Sequence, residues 1–167
     1  MSTLTGNTPG IKPIAAPEPP IANDGWWPDI DVVVMRESVR TIGDVTPKRF
    51  RDSAIEAILA INNELADWRA ARQIDGYDSL GDVPANIVDG KSMLEVYYLS
   101  AVYYSTEAIL TEKFINYDTT GSGDKRVEDI TPRLVSARSQ KHYAVTAILE
   151  HPAMGNKTHA RATVDLI

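Results

Sequence analysis

The chain has 167 residues, 43% of them hydrophobic and 24% charged, the balance of a soluble globular protein with one domain, two at most. The absence of cysteine excludes a disulfide framework, a thiolate metal site and a cysteine nucleophile. A net charge of −6 argues against coating a nucleic acid. The prolines are unevenly spread: six of the ten, with three glycines, fall within residues 1–28. That segment carries only Lys12, Glu18 and Asp24 as charges. Its composition buries too little apolar surface to offset ordering entropy, so an extended arm, held by another chain, is expected. At about 3.1 Å per residue it could reach roughly 85 Å. It lacks the basic start and apolar stretch of a signal peptide.

Trp26, Trp27 and Pro28 stand where arm meets body. Two readings fit them. They form a hydrophobic staple closing the first helix onto a bundle, or an aromatic anchor at a subunit or arm interface, where Trp is enriched. Beyond them, Val32, Met35, Val39 and Ile42 follow helical spacing, predicting a short helix over 32–42 despite the strand propensity of Val32–Val34. Thr46-Pro47 reads as a cap and first helical residue. Ala54, Ile58, Ile61, Leu65 and Trp68 then mark one buried face, predicting a single helix as far as Gly76. Asp52, Glu56, Glu64, Asp67 and Arg69 fall on its other faces. With no internal ion pairing there, a solvated surface is expected.

Residues 91–117 are apolar on nearly every side, through Met93, Leu94, Val96, Tyr97, Tyr98, Leu99, Val102, Tyr103 and Tyr104. Such a helix is the central member of a bundle. The run is too short to cross a membrane and is bracketed by Glu95 and Glu107. Asp118–Lys125 reads as an exposed loop, and Thr131-Pro132 as the start of a third long helix ending near Glu150. Arg133, Arg138 and Lys141 make a basic stripe on it, read as a solvated face or as a polar interface with an acidic partner. Past Pro152, Arg161, Thr163 and Asp165 alternate with Ala162, Val164 and Leu166, the period of a strand. With no sheet of its own to join, this tail is suited to a partner's sheet edge.

The sequence matches no phosphate-loop, calcium-loop, metal-ligand or nucleophile-elbow pattern. Gly121–Lys125 lacks the glycine spacing and following hydroxyl of a phosphate-binding loop, and Asp118 onward lacks the ligands of a calcium loop. His142, His151 and His159 have no metal-ligand spacing, and no nucleophile elbow is present. No cofactor and no enzymatic activity are expected. The architecture expected is mainly α: a bundle of three long helices and a short one over residues 29–150, with an arm over 1–28 and an extended tail over 151–167.

Trp27–Asp31, the helix opening at Pro47, Asp82–Gly90, the Tyr97-Tyr98 pair, Gly123–Lys125 and an end closing on Ile167 together resemble the head completion (L) proteins of P2-like tailed bacteriophages. The resemblance runs from about Trp26 to Ile167, with Val32–Val34 more apolar than the family pattern. It implies a structural head–tail connector subunit in the virion neck, assembled in the host cytoplasm. Such adaptors form a homo-oligomeric ring, usually of twelve, beneath the portal protein. The ring stabilises the DNA-filled head and meets a tail-side joining or terminator protein. The C-terminal extension docks on the portal, which makes Arg161, Ala162, Thr163, Val164, Asp165, Leu166 and Ile167 the portal-binding candidates. An acidic chain suits a channel through which packaged DNA passes without specific binding. The alternative is a cytoplasmic helical regulatory module with a peptide-binding groove, monomeric or dimeric.

Overall fold

A computed structural model describes residues 18–117 and 124–152. They are mainly helical: α1 (Val32–Ser38), α2 (Pro47–Glu64), α3 (Ala66–Ile74), a single 3-10 turn (Leu80–Asp82), a hairpin of β1 (Ile87–Val88) and β2 (Lys91–Ser92), α4 (Met93–Tyr117) and α5 (Asp124–Leu149). Helix α4 is the axis, with α5 along one side and α2 along another. This is the central position that its all-round apolar sequence requires.

Local sequence chemistry sets the helix starts. Asp31 caps α1 by accepting from the backbone N–H groups of Val33 (2.9 Å) and Val34 (3.1 Å). Thr46 Oγ1 accepts from Arg49 N–H at 3.3 Å, with Pro47 in the first turn of α2. Val32 and Met35 are fully buried while Val33 and Val34 are exposed, so helical burial overrides the strand propensity of the valine run. Helix α1 stops at Ser38, short of the expected Ile42, because Val39 turns to an extended conformation while keeping its own side chain buried.

Three further expectations are corrected. The single helix from Pro47 to Gly76 is two, divided at Leu65, whose φ of −99° and ψ of 6° leave the helical region. Leu65 N–H still bonds to Ile61 and Arg69 N–H to Leu65, so the division is a bend that keeps the apolar stripe continuous. Ala54, Ile58, Ile61, Leu65 and Trp68 are all buried along it. The last long helix begins at Asp124, and Pro132 lies inside it. A proline removes only its own donor and crowds the carbonyl four residues back, so packing along α4 can extend the helix upstream of it. The third is the central helix, expected over 91–117, which starts at Met93 because Lys91 and Ser92 belong to the hairpin: Ile87 pairs with Ser92 and Val88 with Lys91 across Asp89 (φ 49°) and Gly90 (φ 73°). Paired positive φ values are those of the tight turn that Asp-Gly favours.

Residues 18–28, assigned by composition to the arm, lie on the body as a strap. Ile21 and Ile30 exchange both backbone hydrogen bonds, at 2.8 and 3.0 Å, closing the strap into a loop. Arg51 donates to the carbonyls of Pro19 (2.7 Å) and Pro20 (3.2 Å), and Arg36 pairs with Glu18 at 2.7 Å. Prolines lack a donor but keep their carbonyls, and α2 supplies the cation that uses them. Arm residues 1–17 lie outside the described residues, as do 118–123 of the expected loop; Asp124 and Lys125 open α5.

Candidate interaction surfaces

The strap's indoles face inward. Trp26 and Trp27 are 4% and 2% exposed, and Pro28 is half-buried. Trp26 packs edge-on against Trp27 (4.5 Å between centroids) and Trp68 (6.1 Å), while its Nε1 donates to the Tyr77 carbonyl at 3.4 Å. Both rings are thus buried within the chain, Trp26 against Trp68 of α3 and Trp27 against Tyr98 of α4.

A polar triangle lies beneath them. Asn23 Nδ2 donates to Tyr98 Oη (2.8 Å), Tyr98 Oη donates to Asn62 Oδ1 (2.6 Å), and Asn62 Nδ2 donates to Asn23 Oδ1 (3.0 Å). Each corner both gives and receives, so three buried or half-buried polar groups are satisfied without solvent. Burial is the main reason the Tyr98 hydroxyl is pushed far above the ordinary phenol range. It stays protonated and remains a donor. Beside it, Asp24 accepts from the N–H groups of Trp26 (3.1 Å) and Trp27 (3.3 Å) and pairs with Arg69.

The basic stripe of α5 is spent inside the chain. Arg133 meets Glu107 at 2.9 Å, Arg138 meets Glu112, and Lys141 meets Glu64. On the other side of α4, Lys113 meets Glu56 at 2.6 Å. The acidic face of α2, expected to be solvated, is therefore tied to α4 and α5 through Glu56 and Glu64. Sequence spacing along one helix cannot reveal such pairs, because their partners lie 57 and 77 residues away.

Among the described residues, no group of three or more His, Cys, Asp or Glu side chains is placed to hold a metal ion. His142 is exposed. His151 is half-buried, with its pKa lowered first by burial and then by the charge of Arg72. His159 and the expected portal-binding residues Arg161–Ile167 lie outside the described residues. No described helix is long and apolar enough to cross a membrane.

The exposed apolar side chains are a different matter. Ile87 and Val88 of the hairpin are 67% and 59% exposed. At the far end of α4, a cleft of about 550 Å³ is lined by Ile42, Val45, Leu110 and Phe114 together with charged residues. Composition and helical spacing gave no sign of either feature. The Asp89-Gly90 pair between apolar residues is a hairpin signal that would have found the first; the cleft joins residues more than sixty apart in sequence.

A family model described as "Phage head completion protein (GPL)" matches residues 21–164, starting at the residue that closes the strap. The chain is also similar to the head completion/stabilization protein of Escherichia phage P2, at 33% identity over 138 residues, covering 83% of this chain and 82% of that protein. No solved structure matches. A match that takes in strap, helices and hairpin alike shows that this chain belongs to the phage head completion protein family.

Proposed function

We propose that this chain is a head–tail connector subunit. It forms a homo-oligomeric ring beneath the portal, stabilises the DNA-filled head and links it to a tail-side joining or terminator protein. The family places the protein in a structural, virion-associated role at the phage head; ring, portal and tail joining are our extension of that role. The observation that carries the reading is the family match itself, which spans 21–164 and so runs through the body and into the C-terminal tail. The role is structural and not catalytic in this reading, as the family suggests. In this reading, Arg161–Ile167 docks on the portal by strand addition. A cyclic ring also needs two different, complementary patches on each subunit.

Imaging of purified protein mixed with filled, tail-less heads tests the assembly, with subunits expected around the vertex. Deleting residues 160–167 should abolish portal binding while the helical body stays folded. Unimpaired binding by that truncation would overturn the tail assignment.

A further inference from the structure

We propose that the β1–β2 hairpin of one subunit seats in the cleft at the far end of α4 of the next copy. This rests on the ring reading above and supplies the two patches that it requires.

The hairpin has the character of a knob. Ile87 and Val88 are two exposed β-branched side chains, consecutive on β1 and so on opposite faces of a hairpin closed by the tight Asp89-Gly90 turn. A short turn-closed tip has less conformational freedom to lose on docking than an open loop, so more of its apolar burial remains as affinity. Lys91, exposed beside it, makes no ion pair among the described residues.

The cleft has the matching character. Ile42, Val45, Leu110 and Phe114 form an apolar lining, each buried or half-buried. Arg49, Asp52, Ser53 and Lys113 also line it; Asp52 pairs with Lys48 and Lys113 with Glu56. Asp44, exposed and lining the same cleft, has no ion-pair partner among the described residues. An apolar tip with an unspent cation therefore faces an apolar floor with an unspent carboxylate.

A chain cannot satisfy itself this way. The hairpin ends at Ser92, where α4 begins, whereas the cleft lies against Leu110 and Phe114. At about 1.5 Å per residue, these are roughly 25–35 Å apart along one rigid helix. Knob and socket at opposite ends of one helix give a head-to-tail contact, which closes into a ring or runs on as a filament. Copies of charge −6 repel one another, so the local Lys91–Asp44 attraction also fixes which surfaces meet.

The absence of native cysteines makes the test direct. Full-length Val88→Cys and Val45→Cys subunits, mixed on filled heads and oxidised, should give disulfide-linked dimers that neither variant gives alone. The double variant should give a ladder of oligomers. Ile87→Asp with Val88→Asp, at exposed positions, should leave the thermal melt unchanged and reduce ringed vertices by about ten-fold or more. Lys91→Glu should weaken assembly, and adding Asp44→Lys should restore it. Unaltered rings together with no cross-link, or a full set of rings from the double Asp variant, would overturn the hairpin contact and leave the ring reading standing. Heads that acquire no ring from the unaltered protein would overturn both.

Discussion

Trp27 lies flat on Tyr98, with ring centroids 4.6 Å apart and planes 10° from parallel. The strap is thus stacked on the central helix at the point where the Tyr98 hydroxyl is held by Asn23 and Asn62. Tyr98→Phe keeps the stack and removes the hydroxyl, leaving both asparagines one partner short. It should cost about 1–3 kcal/mol, the usual penalty for orphaned buried polar groups. Trp27→Ala removes the stack and a fully buried indole, at about 3–5 kcal/mol. Denaturant melts of both variants check the order; a Tyr98→Phe variant as stable as the unaltered protein would mean that the polar triangle contributes nothing beyond packing.

Two ion pairs of one type should differ in worth. Glu107 has a side chain only 10% exposed and Arg133 28%, whereas Lys113 and Glu56 are 47% and 56% exposed. Arg133→Ala leaves a buried carboxylate without its cation and should cost about 1–3 kcal/mol, insensitive to salt. Lys113→Ala should cost about 0–1 kcal/mol and less still in high salt. Double-mutant cycles at low and high ionic strength separate the two, and a salt-sensitive Arg133–Glu107 coupling would count against its buried character.

Acid should loosen the strap through Asp24. Burial raises its pKa, but the hydrogen bond from Arg69, those from the N–H groups of Trp26 and Trp27, and the Arg69 charge together hold it below the usual 3.8. A depressed folded pKa means that the unfolded chain binds the proton first. The stabilisation is complete above the unfolded value and is lost as pH falls through the folded one. His151 acts in the same direction nearer neutrality: burial and then Arg72 lower its pKa from 6.5, so stability declines as pH drops below that value. Stability profiles of Asp24→Asn and His151→Asn should each lose one of these windows and keep the other. Profiles matching the unaltered protein in both windows would refute the linkage.

What could be read from the sequence follows from range. The stripe Ala54–Trp68, the cap at Thr46 and the central helix are local patterns, fixed by periodicity and by side chains within four residues. The bend at Leu65 leaves that stripe intact, so spacing alone does not show it. The start of α5 before Pro132 depends on α4, and the pairs of Arg133, Arg138 and Lys141 depend on carboxylates from two other helices. Composition likewise assigned residues 18–28 to an arm held by another chain, whereas here they lie on their own body. Proline content predicts extended backbone correctly, but it does not register that Ile21, Trp26 and Trp27 carry enough apolar surface to bind that backbone to the body. The alternation of Arg161–Ile167 suggests only a partner's sheet edge, and the portal as that partner is what the family resemblance implies.

Gly43 couples the α1–α2 connection to the cleft, and its replacement can be predicted with an internal control. Its φ is +66°, and a Cβ added there would stand 3.1 Å from Phe114 Cε2. Gly25 in the strap has a φ of +86° with nothing within 4 Å of an added Cβ. Both alanine variants incur the left-handed backbone cost of about 1–2 kcal/mol. Only Gly43→Ala must also displace the Phe114 ring by a few tenths of an ångström. Gly43→Ala should therefore be the more destabilising of the two, with the excess attributable to Phe114. Because that ring lines the cleft, the same variant should weaken subunit assembly, whereas Gly25→Ala should not. The excess should vanish when Phe114 is shortened to Leu in both backgrounds. If it persists there, the added cost of Gly43→Ala comes from the backbone alone, and the proposed coupling to the cleft is wrong.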